Sequence, residues 1–184
     1  REAVRGVAGV AAVGNVSNGP LFGGIEPGTF VSREEGPRRE LAARWYDASA
    51  GYFETLGLAL VQGRSFTPSD LAGSIPVAVV NQTFAARMWP GENPIGRRVA
   101  DDRPDARVFE VVGVVREVPP FRAGEPPVAE IWWPFDQAPR WGAYLVIRTT
   151  ESPPMLVPVL QERLGTAVPG LQLGTFRTLP ELIG

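Results

Sequence analysis

Paired carboxylates are the first candidates for chemistry in this chain. Glu34-Glu35 and Asp101-Asp102 are adjacent, and Glu110, Glu117, Glu130 and Asp136 stand nearer the middle. Glycosidase-like hydrolysis needs two carboxyl groups held close together, one with a raised pKa. Neighbours on an extended chain point opposite ways, so neither adjacent pair converges by itself, and both read as solvated loop charge. A hydrolase would instead need two of Glu110, Glu117, Glu130 and Asp136 to meet in a cleft. Trp132-Trp133 has the surface to stack a sugar or a peptide aromatic. On a strand one ring faces each side, and the expectation is one core Trp and one partly exposed. Arg38-Arg39 and Arg97-Arg98 are too short for a basic patch and read as solvated surface. Asp70 and Asp136 lack the acidic neighbours of a calcium loop, and the glycines never assemble a nucleotide-binding or nucleophile-elbow motif. No residue is assigned to catalysis, to a cofactor or to a metal.

Composition closes most other routes. The chain has no Cys and no His, and every basic residue is Arg. That removes thiol nucleophiles, disulfides, the commonest general base, the commonest metal ligand, Schiff-base chemistry and the P-loop lysine. A net charge of -2 over 184 residues gives no nucleic-acid or anionic-membrane footprint. Nothing approaches the ~18 consecutive apolar residues of a membrane span, and no secretory signal is present. The chain opens without Met and stops at TLPELIG, where a helix begins, so a piece of a longer protein is expected.

The elements that must position these side chains are short, as plentiful Pro and Gly require. Val7 to Ser17 contains a first strand, and Asn18 to Pro37 reads as a long loop tacked down by Phe22, Ile25 and Phe30. Arg39 to Asp47 fits strand or helix; as a strand, Leu41 to Tyr46 would partner the first segment. Ser49 caps a helix over Ala50 to Leu56 with Tyr52, Phe53 and Leu56 inward, and Gly57 ends it in the left-handed region. Leu58 to Gln62 is a strand ending at Gly63. Phe66 to Asp70 is a turn with two side chains able to cap a helix. Val77 to Val80 is an apolar run, the pattern of a strand buried on both faces. Asn81 caps the helix Gln82 to Met88, which buries Phe84, Ala85 and Met88 before the Pro90 to Gly96 turn.

Phe109 to Val115 is a second buried strand, and its Gly113 predicts a bulge or a close backbone approach. A Pro-rich loop, Pro119 to Pro127, precedes a short strand, Glu130 to Phe135, stopped by Pro134. Ala143 to Thr149 is a strand. Met155, Val159, Leu160 and Leu164 space an amphipathic helix that tolerates Pro158 only in its first turn. Leu171 to Phe176 is the last strand, and Pro180 opens a closing helix. Strands and helices are interleaved, so the class is α+β or α/β.

Several runs carry a family resemblance. They are Gly6-Val7 to Val13 with Gly19-Pro20-Leu21, Ser49 to Phe53 with Leu56-Gly57, Gly63-Arg64-Ser65-Phe66, and Asp70. The series continues with Val77 to Asn81, Phe84 to Arg87, Pro90-Gly91, Asn93 to Gly96, Val111 to Val115, Ser152 to Leu164 and Leu171 to Leu179. In this order and spacing the chain resembles the periplasmic core domain of MacB-like and FtsX-like ABC transporter permeases. The resemblance implies an α+β fold: a porter-like subdomain, residues 1–68 and 139–184, interrupted by a small α/β insertion called Sabre, residues 69–138. It further implies a non-catalytic extracytoplasmic domain of an inner-membrane protein that needs no cofactor. This domain would relay ATP-driven motion to a substrate or partner in efflux or in lipoprotein and envelope handling. The implied partners are an ATPase, fused or separate, and a periplasmic adaptor or envelope protein; the parent would be a homodimer and the isolated domain a monomer. A stand-alone periplasmic sensor or adaptor module is the alternative.

Overall fold

Runs of β-branched residues place most of the chain in one mixed sheet, and the computed structural model describes residues 1–17, 27–34, 37–103, 105–117, 126–137 and 143–183. In chain order come α1 (Glu2–Arg5), β1 (Val10–Ser17), β2 (Gly28–Ser32), β3 (Glu40–Ala48), α2 (Tyr52–Leu56) and β4 (Leu60–Gly63). They are followed by β5 (Val77–Asn81), α3 (Gln82–Met88), β6 (Arg98–Asp101), β7 (Phe109–Val115) and β8 (Glu130–Pro134). A single 3₁₀ turn, Phe135–Gln137, leads to β9 (Tyr144–Thr149), α4 (Pro153–Ala167) and α5 (Leu179–Ile183). The mixed α/β character expected from the sequence is the one that forms.

The strands run β2-β6-β7-β5-β8-β3-β1-β9, with β4 on β7. β2 also pairs with β3, so the ladder closes on itself through β2, β6, β7, β5, β8 and β3. The β3–β8 and β5–β7 pairs are parallel. Every strand of this circuit sends side chains to one shared core, among them Phe30, Ala43, Val80, Val99, Val111 and Trp133, which Phe84, Met88 and Trp89 complete from α3 and its end. A second core on the other face sets Tyr46, Val79 and Trp132 under Tyr52 and Phe53 of α2. A third holds α1 and α4 against β1 and β9 through Val4, Val13, Leu156, Leu160 and Leu164.

Strong local signals survive folding. β5 is buried at every residue, and α3 covers the expected residues, with Asn81 Oδ1 accepting from Phe84 N at 2.8 Å. Gly57 caps α2 at φ 71°. Arg39 to Asp47, left open between helix and strand, folds as β3, and it meets β1 at Val16↔Ala48 and Ser17↔Asp47. The approach expected at Gly113 is real on both counts. Val112 is the extra residue where β7 slips against β5, and a Cβ on Gly113 would collide with the Arg64 carbonyl.

Other expectations change. Part of the long loop is strand: β2 forms because Phe30 and Val31 both reach the interior, whereas Phe22 and Ile25 lie outside the described residues. β6 was invisible, since Val99-Ala100 is too short an apolar run to register. α2 starts two residues late, capped at Gly51 in the left-handed region. Ser49 Oγ instead accepts from Asn15 N at 2.8 Å and ties α2's entrance to β1. In α4 the buried stripe is Leu156, Leu160 and Leu164, while Met155 is 73% exposed. Pro158 sits in the helix's second turn, where it deprives the Pro154 carbonyl of its usual donor on an exposed face that water can serve. Residues 171–178 join no ladder and no helix, so the last expected strand is not one here. The Pro119 to Pro127 loop lies outside the described residues except at 126–127.

The close crossing at Gly113 makes a sharp prediction. Gly113→Ala is expected to destabilise the domain by about 3 kcal/mol or more, because backbone must move. Gly165→Ala, in α4 with open space around it, should stabilise by about 0.5–1 kcal/mol. Urea midpoints of the two variants test this; equal midpoints would contradict the crossing.

Candidate functional site

Asn81 ends β5 and begins α3, and four hydrogen bonds meet on its carboxamide. Its Oδ1 accepts from Phe84 N and, at 3.1 Å, from Glu130 N; its Nδ2 donates to Glu117 Oε2 at 2.8 Å and to the Val128 carbonyl at 2.7 Å. Every hydrogen-bonding position of the amide is thereby used, which a fully buried Asn requires. Glu117, just past β7, turns its other oxygen to Thr83 N at 2.6 Å and Thr83 Oγ1 at 2.9 Å. Two side chains therefore cap the first turn of α3, and Glu117 and Val128 are held at the same place.

Glu130 lies at the start of β8, buried, and accepts from the Tyr46 hydroxyl at 3.0 Å. Burial pushes its carboxyl up to about 7; the Tyr46 hydrogen bond and Arg44 oppose the shift, and Glu117 adds to it. The same burial, with Glu130 close by, raises the Tyr46 and Tyr52 hydroxyls above the usual tyrosine range. The Tyr52 hydroxyl is buried without a hydrogen-bond partner among the described residues.

Of the four carboxylates a hydrolase would draw on, Glu117 and Glu130 come to this hub, while Glu110 is exposed and Asp136 pairs with Arg1 at 2.8 Å. The two that meet do not border a cleft: Glu117 is spent on Asn81 and Thr83, and Glu130 is sealed beneath Tyr46. Trp132 and Trp133 are both buried, at 0% and 9% exposure, which corrects the expectation of one exposed ring. Trp132 packs edge-on to Phe53 at 5.4 Å, and Trp133 stacks on Phe109 at 4.0 Å. Among the described residues no group of three or more His, Cys, Asp or Glu is arranged to hold a metal ion.

Charges read as free surface are largely paired. Glu92 bridges Arg39 and Arg97, each at 2.6 Å, and Arg97 continues to Glu34 at 2.6 Å. Arg39 also donates to the Met88 carbonyl at 3.2 Å, so Glu34 and Arg39 are both tied to the end of α3 and the turn after it. The hydrogen bond from Arg39 and the nearby Arg97 charge hold the Glu92 carboxyl below its ordinary value. Asp102 pairs with Arg38 and Asp101 with Arg103; Glu35 lies outside the described residues. Asp70 accepts both nitrogens of Arg64, at 2.8 and 3.0 Å, and Thr67 N at 2.8 Å. Burial pushes the Asp70 carboxyl up, but those donors outweigh it and leave it below the ordinary range. It fixes a turn and caps no helix.

A concavity of about 1070 Å³ lies between β9, α4 and the 171–178 segment. Leu145, Ile147, Leu160, Leu173 and Phe176 give it an apolar wall, with Arg1 and Arg177 at the margin. Sequence reasoning missed both this groove and the Tyr46–Glu130 pair, because each depends on residues far apart in the chain. The N-cap signal at Asn81 was the visible end of the hub.

Comparison with known proteins places this geometry in context. A family model described as the MacB-like periplasmic core domain matches residues 1–162. The macrolide export ATP-binding/permease protein MacB of Aggregatibacter actinomycetemcomitans is 34% identical over 76 residues, 41% of this chain and 11% of that protein. The protein of the same name from Mannheimia succiniciproducens is 32% identical over 66 residues, 36% of this chain and 10% of that one. These matches therefore span about a tenth of each relative's length. Among solved structures, the periplasmic region of MacB from Actinobacillus actinomycetemcomitans aligns with a TM-score of 0.63 at 20% identity, covering 90% of this chain and 71% of that one. The extracellular domain of the ABC-type transporter YknZ from Gram-positive bacteria aligns with a TM-score of 0.54 at 18% identity, covering 89% and 81%. At such identities the structures speak for the fold.

The buried carboxyl gives the hub a pH signature. Glu130's value in the folded state lies above the 4.5 of a free glutamate, so the folded state holds the proton longer. Its contribution is full below pH 4.5 and is lost as pH rises toward 7, by an amount on the order of 3 kcal/mol at most. Glu130→Gln keeps an acceptor for Tyr46 and should flatten this slope, making the variant more stable than wild type at pH 8. Urea titrations at pH 5 and pH 8 check it; a variant weaker than wild type at pH 8 would refute the assignment. Asn81→Ala, which strands several buried groups at once, is expected to cost about 3 kcal/mol or more at either pH.

Proposed function

Because the chain belongs to the MacB-like periplasmic core domain family, and so is an extracytoplasmic domain, we propose that it relays ATP-driven motion in an ABC transporter permease. It does so by changing arrangement and carries out no bond chemistry. Support for this comes from how the hub uses its carboxylates. The two that converge are consumed in holding α3, β7, β8 and β3 together, which is the work of a rigid junction.

The same reading divides the chain into a porter-like lobe, residues 1–68 and 139–184, and an inserted lobe, residues 69–138. The division is supported by the third core, which is drawn wholly from the two outer stretches. The β3–β8, β2–β6 and β4–β7 ladders and the Arg1–Asp136 ion pair join the two lobes. In the parent the domain would act with an ATPase, on the same chain or a separate one, in a homodimeric permease. Its output would be passed to an exported substrate or to a periplasmic adaptor or envelope protein.

A junction variant tests the relay. Ser17 Oγ donates to the buried Asp47 carboxylate at 2.5 Å where β1 meets β3. In the full-length parent reconstituted with its ATPase, Asp47→Ala should leave ATP hydrolysis in place and abolish export or partner activation. Loss of both together, or of neither, counts against the relay. Reading the coding sequence on both flanks tests the setting: apolar stretches of about 20 residues on each side agree with a permease, whereas an upstream signal peptide and an early stop codon do not.

A further inference from the structure

By its backbone, α2 rides on β1 and β9. A Cβ on Gly14 would come within 2.6 Å of the Tyr52 Cα, an approach that only glycine allows. Ser49 N donates to the Asn15 carbonyl at 3.0 Å, and Asn15 N to Ser49 Oγ at 2.8 Å. Arg148 of β9 donates to the Thr55 carbonyl at 2.8 Å. By its side chains the same helix enters the second core, where Tyr52 lies buried with Tyr46 and Trp132. Tyr52 thus reaches from β1 toward the surroundings of Glu130.

Two tyrosine hydroxyls feel the Glu130 charge, and they are used differently. Tyr46 donates to Glu130 Oε1 at 3.0 Å, whereas the buried Tyr52 hydroxyl has no hydrogen-bond partner among the described residues. A buried donor left idle needs a reason. One donor at the carbonyl oxygen serves a neutral carboxyl, but a carboxylate has two oxygens to satisfy. The remaining groups around Glu130 do not supply the second donor. Arg44 of β3, its register partner in the β3–β8 ladder, favours the ionised form by its charge, and Glu117 after β7 opposes it. β5 presents only the neutral Asn81, whose carboxamide is fully used.

We infer that Tyr52 is the moving part of a proton-sensitive switch: when Glu130 is ionised the Tyr52 hydroxyl becomes its second donor, and α2 carries that change to β1. With Glu130 neutral the arrangement is the one described, Tyr46 bonded and Tyr52 idle. Loss of the proton to solvent draws the Tyr52 ring toward the carboxylate. Its backbone, lodged against Gly14, cannot follow without displacing β1. Because burial raises the Glu130 carboxyl to about 7, the change of charge falls near neutral pH. This inference stands on the second core alone, and a failed transport reading would leave it intact.

NMR of the 184-residue chain between pH 5 and pH 9 tests it, following the Glu130 carboxyl carbon and the Gly14 amide. In the wild type the Gly14 amide should titrate with the Glu130 midpoint. Tyr52→Phe keeps the ring and removes the donor, so the proton affinity of Glu130 should rise about tenfold, and the Gly14 response should disappear. Tyr46→Phe should also raise that affinity while leaving Gly14 coupled to it. In Glu130→Gln the Gly14 amide should stay flat across the range. Unchanged or lowered proton affinity in Tyr52→Phe, a Gly14 amide that still follows Glu130 in that variant, or a wild-type Gly14 amide indifferent to pH would overturn the switch. If Tyr52→Phe fails to fold, the wild-type Tyr52 Cζ shift decides: it must follow the Glu130 midpoint, and a flat trace refutes the switch.

Discussion

A five-residue strand with every side chain buried, β8, must find cover on both faces and on both edges at once. Its edges are taken by β3, in parallel, and by β5, antiparallel. Its faces carry Trp132 and Trp133, which require separate aromatic settings on opposite sides: Tyr46 and Phe53 for one, Phe30 and Phe109 for the other. Loss of either ring would remove contacts worth about 3–5 kcal/mol in a well-packed core. Much of the architecture follows from that requirement. α2 lies where it does to cover Trp132, and β2 closes the strand circuit by bringing Phe30 onto Trp133.

The requirement also explains the polar hub. β8 begins with a glutamate that enters the interior with the strand, and a buried carboxyl without a partner is expensive. The Tyr46 hydroxyl supplies one donor, and the shift of Glu130 toward neutrality removes much of the remaining cost. Asn81 then holds the Glu130 backbone and Glu117 together at the mouth of the second core. A strand that had to be buried twice has been given a polar lock at its entrance. The lock is the same contact that starts α3.

Legibility in the sequence followed the range of the interaction. Val77 to Val80, the Asn81 cap, Gly57 and the Phe109 to Val115 strand are each written in a handful of adjacent residues, and each was read correctly. Gly113 was legible because a glycine in an otherwise β-branched run needs a steric reason. β2 and β6 were not, because their strand character comes from each other and from β3, and neither has the apolar run that announces a buried strand. Trp132-Trp133 was misjudged for the same cause: a chain reader sees one face toward the core and cannot see that the circuit has a core on each side. Of the candidate site, the Asn81 cap was visible. The convergence of Glu117 and Glu130 upon it was not, since 36 and 49 residues separate them from Asn81.

The two halves of the sheet differ mechanically. In the circuit each strand is flanked on both sides, and ladder closure leaves no edge that can part without breaking hydrogen bonds. The wing formed by β1 and β9, with α1 and α4, is another matter. β1 holds β9 through six registered pairs but reaches β3 through two, Val16↔Ala48 and Ser17↔Asp47. Around that narrow ladder stand a few bonds with long sequence separation: Asn15 N to Ser49, Arg148 to the Thr55 carbonyl at 2.8 Å, and Arg1 to Asp136. A two-pair ladder, discrete polar contacts and the packing of Val16 and Val146 on the second core join the wing to the circuit. A uniformly bonded sheet would bend everywhere a little and pass on little motion. On the proposed relay, a join this narrow would let a push on either body arrive at the other as a rotation.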